Sequence, residues 1–331
     1  MKSCSSVRRR AFLASAALLP VQALGGMAWG QTAPPAMTVL STTGMVADLA
    51  ESVGRGMPGV SFATLLGHGV DPHLFRPTRA DVARVLRAAA VFHNGLKLED
   101  RMEEVLDQAR RTGRIVHAVA EAVPAERLRA DPEYPDTADP HLWMDPMLWA
   151  ECAPGVADAL RRLQAATPGQ APTDIAANIA ALRLRYARLD AYAQEAIGSI
   201  PAEARVLVTA HDAFGYFNAR YGLEEASIQG LSTDAEANLG RIEELVALLV
   251  ARRVPAVFAE SSVPDRAMRA LIEGAAARGH EVRLGGVLFS DSVGPAGSYV
   301  GGYEGMMDHN ITTIARSLGG RAPERGLNGR L

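Results

Sequence analysis

The sequence predicts an α/β fold with two similar Rossmann-like lobes, each built on a parallel sheet, joined by one long helix. Short β-rich runs alternate with amphipathic helical patterns in both halves of the chain, and one long helical pattern separates the halves. The length of 331 residues also exceeds what one ordinary core accommodates. We therefore expect a signal peptide over residues 1–30, an N-terminal lobe over 31–170, a linker helix over 171–200 and a C-terminal lobe over 201–331.

Residues 1–30 have the pattern of a secretory signal. Lys2 and Arg8–Arg10 form a basic start, Ala11–Leu24 is apolar, and Ala28–Gly30 provides a small-residue exit. The apolar run is too short, and wrongly flanked, for a membrane anchor. Because the basic run is followed by Ala-Phe-Leu, it also resembles a twin-arginine signal. We expect export to the periplasm and removal of this segment.

The N-terminal half alternates apolar runs typical of strands with helical patterns. The predicted strands are Thr38–Thr43, Val60–Leu66, Ala89–Asn94 and Ile115–Val119. The predicted helices between them are Val46–Val53, Thr78–Ala88 and Glu99–Arg111. Strands that alternate with helices pair in parallel, with the helices covering the sheet.

One long helical pattern follows, with apolar residues at spacings of three, four and their sums. This stripe consists of Ile175, Ile179, Leu182, Tyr186, Leu189 and Ile197. Asp174 can cap the start of the helix, and Gly198 with Pro201 ends it. A helix of roughly 25 residues would be about 37 Å long, which suits a strut that crosses two lobes.

The alternation resumes after the long helix. The predicted strands there are Arg205–Ala210, Ala226–Gln229, Ala256–Ala259 and Val282–Leu288. The predicted helices are Leu239–Arg252, Asp265–Arg278 and Tyr303–Leu318. The second half therefore predicts the same architecture as the first, although we see no sequence repeat between them.

Charge and cysteine content exclude several classes of protein. Removal of residues 1–30 takes away four basic and no acidic residues, which lowers the formal net charge from −3 to −7. An acidic exported protein is a poor candidate for nucleic-acid binding. Cys4 leaves with the signal, so Cys152 alone can form neither an internal disulfide nor a thiolate metal cluster. Since Cys4 precedes the apolar run, we expect a soluble mature protein that is not a lipoprotein.

The tripeptide Asp-Pro-His occurs twice and carries two candidate metal ligands, His73 and His141. Pro72 and Pro140 fix their own φ and restrict the residue before them, so each histidine is on a stiff turn. A stiff turn suits a ring nitrogen that must be held at a fixed point. The alternative is that both histidines only form local hydrogen bonds.

Two further candidate ligands follow predicted strands. His211 comes directly after the apolar run RVLVTA, and Asp291 follows Val-Leu-Phe before a Gly/Pro-rich loop. In parallel α/β sheets, ligands bind at the carboxyl ends of strands. Three imidazoles and one carboxylate suit Zn²⁺ and are acceptable to Mn²⁺. The remaining histidines lack such a setting and have ordinary structural explanations: His68, His93, His117, His280 and His309.

Four carboxylates close to the candidate ligands could orient the imidazole rings. They are Asp71, Asp139, Asp145 and Asp212. Each could equally be a turn or helix-capping residue.

The chain resembles the metal-binding substrate-binding proteins of zinc and manganese ABC importers over about residues 38–320. The motifs that carry the resemblance, in chain order, are GVDPHLFRPTRADV, VFHNGLKLE, DPHLWMDP, TAHDAFGYFNARYGL, LSTDAEA, VPAVFAESSV and FSDSVGPAGSYVGGYEGMMDHN. The resemblance implies two lobes linked by one backbone helix and one metal ion between them. It also implies that His73 and His141 come from the N-terminal lobe, and His211 and Asp291 from the C-terminal lobe.

The resemblance bears on the identity of the metal through His211. Some members, often manganese importers, have Glu at this position, whereas members with His are associated with zinc or with both metals. The run Ser-Thr-Asp-Ala-Glu at 232–236 is similar to the zinc or mixed branch. Many zinc-specific members also carry a His-rich acidic loop, but the corresponding segment, Glu121 to Asp139, contains no histidine. We expect Zn²⁺, with Mn²⁺ as the alternative.

The function expected from the resemblance is capture of a divalent cation in the periplasm and delivery to the membrane permease of an ABC transporter. We expect a monomer that is not an enzyme. A secreted zinc hydrolase is the alternative, but catalytic zinc usually has three protein ligands and one open position, whereas four protein ligands are expected here. A metal-binding surface adhesin is a further alternative, weakened by the expected absence of a lipid anchor.

Overall fold

The computed structural model describes residues 37–131, 137–166, 172–234 and 238–331. The described residues belong to one compact unit, so the predicted lobe boundaries stay a prediction. The predicted signal peptide lies outside the described residues. Among those residues, no helix combines the length and the apolar character that crossing a membrane requires.

The described residues form parallel strands connected by helices, which confirms the predicted α/β class. The strands are β1 Met37–Ser41, β2 Val60–Thr64, β3 Ala90–His93, β4 Ile115–Ala118, β5 Val206–His211, β6 Glu224–Gln229, β7 Ala256–Glu260 and β8 Arg283–Leu288. The helices are α1 Gly44–Val53, α2 Arg79–Arg87, α3 Glu103–Arg111, α4 Pro146–Glu151, α5 Ala153–Ala165, α6 Ile175–Gly198, α7 Gly215–Tyr221, α8 Leu239–Arg252, α9 Arg266–Ala277 and α10 Tyr303–Ser317.

The strands before α6 form a parallel sheet in the order β2-β1-β3-β4. In its centre, Ser41 lies opposite Thr64 on one side and Phe92 on the other. Strand β3 is buried along its whole length, as expected for a parallel strand covered on both faces. The carboxyl ends of β1, β2 and β3 therefore meet at one edge of the sheet.

The strands after α6 form two parallel pairs, β5 with β6 and β7 with β8. Strands β5 and β7 lie side by side and are buried along their whole length. Their carboxyl ends, at His211 and Glu260, come together at the same edge.

Helix α6 is the predicted long helix and spans 24 residues, which corresponds to about 36 Å. Asp174 caps its start by accepting a hydrogen bond from the backbone N–H of Ala177 at 2.9 Å. This helix packs against α1 and α4, which precede it in the chain, and against α10, which follows it. The helix thus connects structure from both halves of the chain, as a strut would.

Helices α4, α5 and α7 were not predicted. Helices α4 and α7 are buried over most of their surface, so they have no polar face to produce a 3.6-residue pattern. Helix α5 begins with Ala-Pro-Gly, a sequence typical of a loop, but Pro154 occupies the first turn, where proline is tolerated. The predicted strand at 226–229 is also longer than expected, since β6 begins at Glu224.

Candidate metal centre

The four predicted ligands meet in the structure. His73, His141, His211 and Asp291 are buried, and one potential ligand atom from each lies within 4.8 Å of every other. His73 is in the loop after β2, His211 ends β5, and Asp291 lies three residues beyond β8. His141 is reached by a longer connection after β4. The cluster therefore forms where the carboxyl ends of strands from both halves of the chain meet.

The distances within the cluster match one small cation. Nε2 of His141 lies 3.4 Å from Oδ1 of Asp291, and Nε2 of His211 lies 3.2 Å from Oδ2 of Asp291. Two ligand atoms that each lie about 2.0–2.1 Å from a tetrahedral zinc ion are separated by about 3.3 Å. The nitrogen and oxygen atoms are thus close to the spacing that coordination requires.

The facing atoms have no other partner. Nε2 of His73, His141 and His211, and Oδ1 of Asp291, are buried without a hydrogen-bond partner among the described residues. Buried polar atoms are normally paired, because an unpaired one costs free energy. A cation site needs several such unpaired atoms close together, because a lone pair that accepts a hydrogen bond cannot also coordinate a metal ion.

The turn that carries His73 is held by Asp71. Oδ1 of Asp71 accepts a hydrogen bond from the backbone N–H of His73 at 2.8 Å. Oδ2 accepts another from the hydroxyl of Thr233, which lies after α6, at 2.5 Å. Asp71 therefore links the first Asp-Pro-His turn to the second half of the chain, although it does not contact the His73 ring nitrogens.

The turn that carries His141 is held more completely. Oδ1 of Asp139 accepts hydrogen bonds from the backbone N–H of His141 at 2.9 Å and from its ring Nδ1 at 2.8 Å. Because a carboxylate only accepts, Nδ1 carries a proton, and Nε2 is the ring atom that faces the cluster. The Asn94 amide donates to the carbonyl of Pro140 at 2.9 Å, and the Tyr216 hydroxyl donates to the carbonyl of Asp139 at 3.0 Å.

His211 is oriented by Glu260 at the end of the neighbouring strand β7. Oε2 of Glu260 accepts from Nδ1 of His211 at 2.5 Å. Oε1 accepts from the backbone N–H groups of Ala210 and His211 at 2.7 and 2.9 Å. One buried carboxylate therefore holds both the strand end and the ring, and directs Nε2 toward Asp291. Outer carboxylates of this kind set ring orientation in metal sites.

The segment of Asp291 is held by α10 and by serines near the end of β7. The Asn310 side chain accepts from the backbone N–H of Phe289 at 2.9 Å and donates to its carbonyl at 2.7 Å, as a neighbouring strand would. The Ser262 hydroxyl lies 3.1 Å from that of Ser290 and 3.5 Å from Oδ2 of Asp291.

The titration of two ligands reflects competition between burial and nearby carboxylates. Burial lowers the pKa of His73 to about 3, because Asp291 compensates only in part. Burial also acts to lower the pKa of His141, but its hydrogen bond to Asp139 and the nearby charge of Asp291 outweigh burial and raise that pKa to about 9. His73 is therefore neutral at pH 7, whereas His141 is protonated as long as no cation replaces the proton.

The other two ligands form a charged pair. Burial acts to lower the pKa of His211, but the charges of Glu260 and Asp291 keep that pKa well above its ordinary value. Burial acts to raise the pKa of Asp291, but His211 and His141 keep it well below its ordinary value. Asp291 is therefore ionised, and a cation that binds here must displace protons from His141 and His211.

The other candidates from the sequence do not reach the cluster. Asp145 caps α4 and pairs with Arg220, and Asp212 lies beside Glu225, whose pKa rises to about 8 through burial and that contact. Each of four other histidines has a ring nitrogen close to a group elsewhere in the fold: His68 to the carbonyl of Val293, His93 to the Arg110 guanidinium, His280 to the carbonyl of Val254, and His309 to the carbonyl of Val287. His117 packs against Phe92.

Glu260 is the residue that sequence reasoning missed. It stands directly after the apolar run Ala-Val-Phe-Ala, at the carboxyl end of a strand, as His211 does. The rule that selected His211 and Asp291 could therefore have selected Glu260 as well. What the sequence lacks is the side-by-side placement of β5 and β7, which brings Glu260 to the Nδ1 atom of His211.

Comparison with known proteins gives consistent matches over nearly the whole chain. The family described as zinc-uptake complex component A, periplasmic (ZnuA), matches residues 39–317. The zinc-binding protein TroA of Treponema pallidum is 42% identical over 281 residues, which cover 85% of this chain and 88% of TroA. A solved structure of periplasmic zinc-binding TroA has a TM-score of 0.78 at 40% identity and covers 86% of this chain and 99% of that chain.

Two further relatives differ in the metal or the anchor that their names give. The manganese-binding lipoprotein MntA of Bacillus subtilis is 38% identical over 300 residues, covering 87% of this chain and 92% of MntA. The metal ABC transporter substrate-binding lipoprotein SloC of Streptococcus mutans is 29% identical over 296 residues, covering 87% and 92%. These lipoprotein names conflict with the expectation that the mature chain carries no lipid anchor.

Proposed function

The chain belongs to the ZnuA family of periplasmic zinc-uptake components, and on that premise we propose that it captures a divalent metal ion and delivers it to the permease of an ABC importer. Its relatives are substrate-binding proteins of metal transporters and not enzymes. The cation is cargo that is bound and released, so no reaction is carried out on it.

The observation that carries the proposal is the set of four buried, unpaired ligand atoms directed at one point. We propose His73, His141, His211 and Asp291 as the complete protein ligand set. Four protein ligands fill a tetrahedral zinc site, so no position is left for the water molecule of a hydrolase. The same atoms could serve a carrier, because capture needs complete coordination rather than an open position.

We propose Zn²⁺ as the preferred cargo and Mn²⁺ as the alternative. Three imidazole donors and one carboxylate are a softer set than the oxygen-rich set that Mn²⁺ favours. Relatives with more than a third of their residues identical are named for zinc in one case and manganese in the other. The choice for this chain therefore depends on its own donors, and His211 is the donor on which we base it.

We propose that the ion reaches the ligands through a cleft beside His73. A cavity of about 740 Å³ is lined by His73, by residues near Arg101 and Pro140, and by the segment from Gly230 to Ser232. His73 is 8% exposed, whereas His141 and His211 are fully buried. We propose that His73 makes the first contact with an arriving ion and the last with a departing one.

Family members work outside the cytoplasm, and we propose the periplasm for this chain after removal of residues 1–30, with twin-arginine export as one candidate route. We also propose that it acts as a monomer and does not bind nucleic acid, as its acidic composition favours. Size-exclusion chromatography with light scattering, and cell fractionation with mass determination of the exported protein, test these points.

Metal analysis and thermal denaturation test the central proposal. A ligand present at 100 times its Kd should stabilise the folded protein by about 2.7 kcal/mol, which corresponds to several degrees in Tm. We expect this shift with Zn²⁺, a smaller one with Mn²⁺ at the same concentration, and reversal by a chelator. Absence of a shift with every divalent ion would contradict the proposal.

Single-histidine variants provide the matched control. His211→Ala removes one imidazole from the cluster, and His280→Ala removes one that binds the carbonyl of Val254 instead. We expect the zinc-dependent shift to be lost in the first variant and retained in the second. Uptake of radioactive zinc by cells that carry each variant then tests delivery, and it should follow the same order.

A further inference from the structure

A hydrogen bond joins the two segments that carry His141 and Asp291. The indole Nε1–H of Trp143 donates to the backbone carbonyl of Ser290 at 2.9 Å, across 147 positions of sequence. Trp143 stands two residues after His141, and Ser290 stands one residue before Asp291. This bond therefore connects a ligand segment that precedes α6 with one that follows it.

The Trp143 side chain is buried in a cluster of aromatic rings next to His141. Trp143 is fully buried, and its own carbonyl accepts a hydrogen bond from the Tyr303 hydroxyl at 2.6 Å. The Tyr303 ring lies 4.7 Å from that of Tyr186 on α6. The imidazole of His141 meets the indole edge to face, with 5.2 Å between the ring centroids. Trp143 thus contacts one ligand through its ring and the other segment through its N–H.

We propose that Trp143 is a positioning residue for metal binding: its indole N–H holds the Asp291 segment at the separation from His141 that the cation requires. The Nε2 atom of His141 lies 3.4 Å from Oδ1 of Asp291 in the tethered arrangement. Without the indole N–H, the buried carbonyl of Ser290 loses its hydrogen-bond donor. Because an unpaired buried carbonyl costs free energy, the Ser290–Asp291 segment is stabilised by moving toward another donor. This inference rests on the proposed metal-binding function.

The chain offers a matched control in Trp149. It is also fully buried, and its ring lies 6.4 Å from that of Trp143 in the same aromatic cluster. Its Nε1, however, has no hydrogen-bond partner among the described residues. Replacement of Trp149 by phenylalanine therefore costs similar packing but removes no tether between ligand segments.

The test compares zinc affinity and zinc release in Trp143→Phe and Trp149→Phe, with the Tm of each metal-free protein as the measure of packing. Loss of an outer partner of a metal ligand typically weakens binding by about 10- to 100-fold. We expect Trp143→Phe to raise the Kd for Zn²⁺ by about tenfold or more, with faster release. We expect Trp149→Phe to change the Kd by less than about threefold.

An isosteric analogue separates the hydrogen bond from packing even if Trp143→Phe folds poorly. The sequence has three tryptophans, so in a full chain with Trp29→Phe and Trp149→Phe only position 143 is left. Biosynthetic incorporation of benzothienylalanine then replaces the indole N–H with sulfur and keeps the ring shape. We expect the analogue to weaken zinc binding by about tenfold relative to the same chain with tryptophan.

Two results would overturn the inference: zinc binding by the analogue within about threefold of its tryptophan parent, or equal losses in Trp143→Phe and Trp149→Phe. Both leave the proposed function intact, because the parent protein still binds zinc. If the parent protein binds no zinc, the proposed function fails and this inference fails with it.

Discussion

Replacement of Glu260 by glutamine should weaken zinc binding by imposing the wrong tautomer on His211. The carboxylate accepts three hydrogen bonds, two from the backbone N–H groups of Ala210 and His211 and one from Nδ1 of His211. A glutamine can keep one oxygen on the backbone groups, but its NH₂ then faces Nδ1. Two donors cannot bond, so His211 loses the proton on Nδ1 and keeps the one on Nε2, the atom that faces Asp291.

The size of the effect follows from the unpaired donors. Zinc must displace the proton from Nε2. The neutral ring then carries its proton on Nδ1, where the N–H faces the glutamine NH₂ and has no acceptor. A buried donor left without an acceptor costs about 1–3 kcal/mol, or about 5- to 150-fold in affinity. Measured effects of outer partners of metal ligands, about 10- to 100-fold, agree with this range.

Competition with a chelator of known zinc affinity measures the Kd, and ¹⁵N NMR of the histidine rings reports which nitrogen carries the proton. Glu99→Gln is the matched control, because Glu99 is also 4% exposed and accepts from Thr42 and two backbone N–H groups, and the histidine paired with it is His93, which is not a proposed ligand. We expect it to destabilise the fold but to change the Kd by less than about threefold. Zinc affinity unchanged in Glu260→Gln, or equally reduced in both variants, would refute the tautomer argument.

Three further predictions concern the ligands themselves. Asp291→Ala removes a proposed metal donor, so it should weaken zinc binding by more than the roughly 100-fold that loss of a group hydrogen-bonded to a ligand costs at most. A smaller loss, measured by competition with a chelator, would contradict the ligand assignment. His211→Glu alone should not produce a good manganese site, because the new carboxylate would lie against the carboxylate of Glu260. The double variant with Glu260→Gln removes this repulsion. In competition titrations it should shift the ratio of Zn²⁺ to Mn²⁺ affinity toward Mn²⁺ by roughly tenfold or more. Because the pKa of His141 is raised to about 9, a proton competes with zinc for this ring below that pH. As the pH falls from 8 to 6, zinc affinity should fall about tenfold per pH unit for each proton that zinc displaces. Asp139→Asn, which removes the main group that raises this pKa, should flatten that slope; an equal slope would contradict the assignment.

Strands β3, β5 and β7 were predictable because they are buried along their whole length. Runs such as Val206–His211 and Ala256–Glu260 are continuous and apolar, which is typical of parallel strands. Helices α4 and α7 were not predictable by periodicity, since they are nearly surrounded by protein and show no polar face. Full burial therefore produces the apolar runs that identify these strands, but it also removes the polar face by which the helices would be recognised.

The ligand residues could be selected from the sequence because each has a local signal. His73 and His141 follow proline in rigid turns, and His211 and Asp291 follow strands. The groups that orient them have no comparable signal of function. Glu260 lies 49 positions from His211, and Trp143 lies 147 positions from Ser290, so only the folded chain makes them neighbours.

The sequence by itself determined the fold class, the proposed donor residues and the stiff local backbone that carries them, because strand burial and proline geometry are properties of short segments. The tertiary structure decided the distances between the proposed donors and which ring nitrogen of His141 and His211 faces the cluster. The physical reason is that a tautomer is selected by the acceptor at the other nitrogen. For His211 that acceptor is Glu260, which arrives from a different strand.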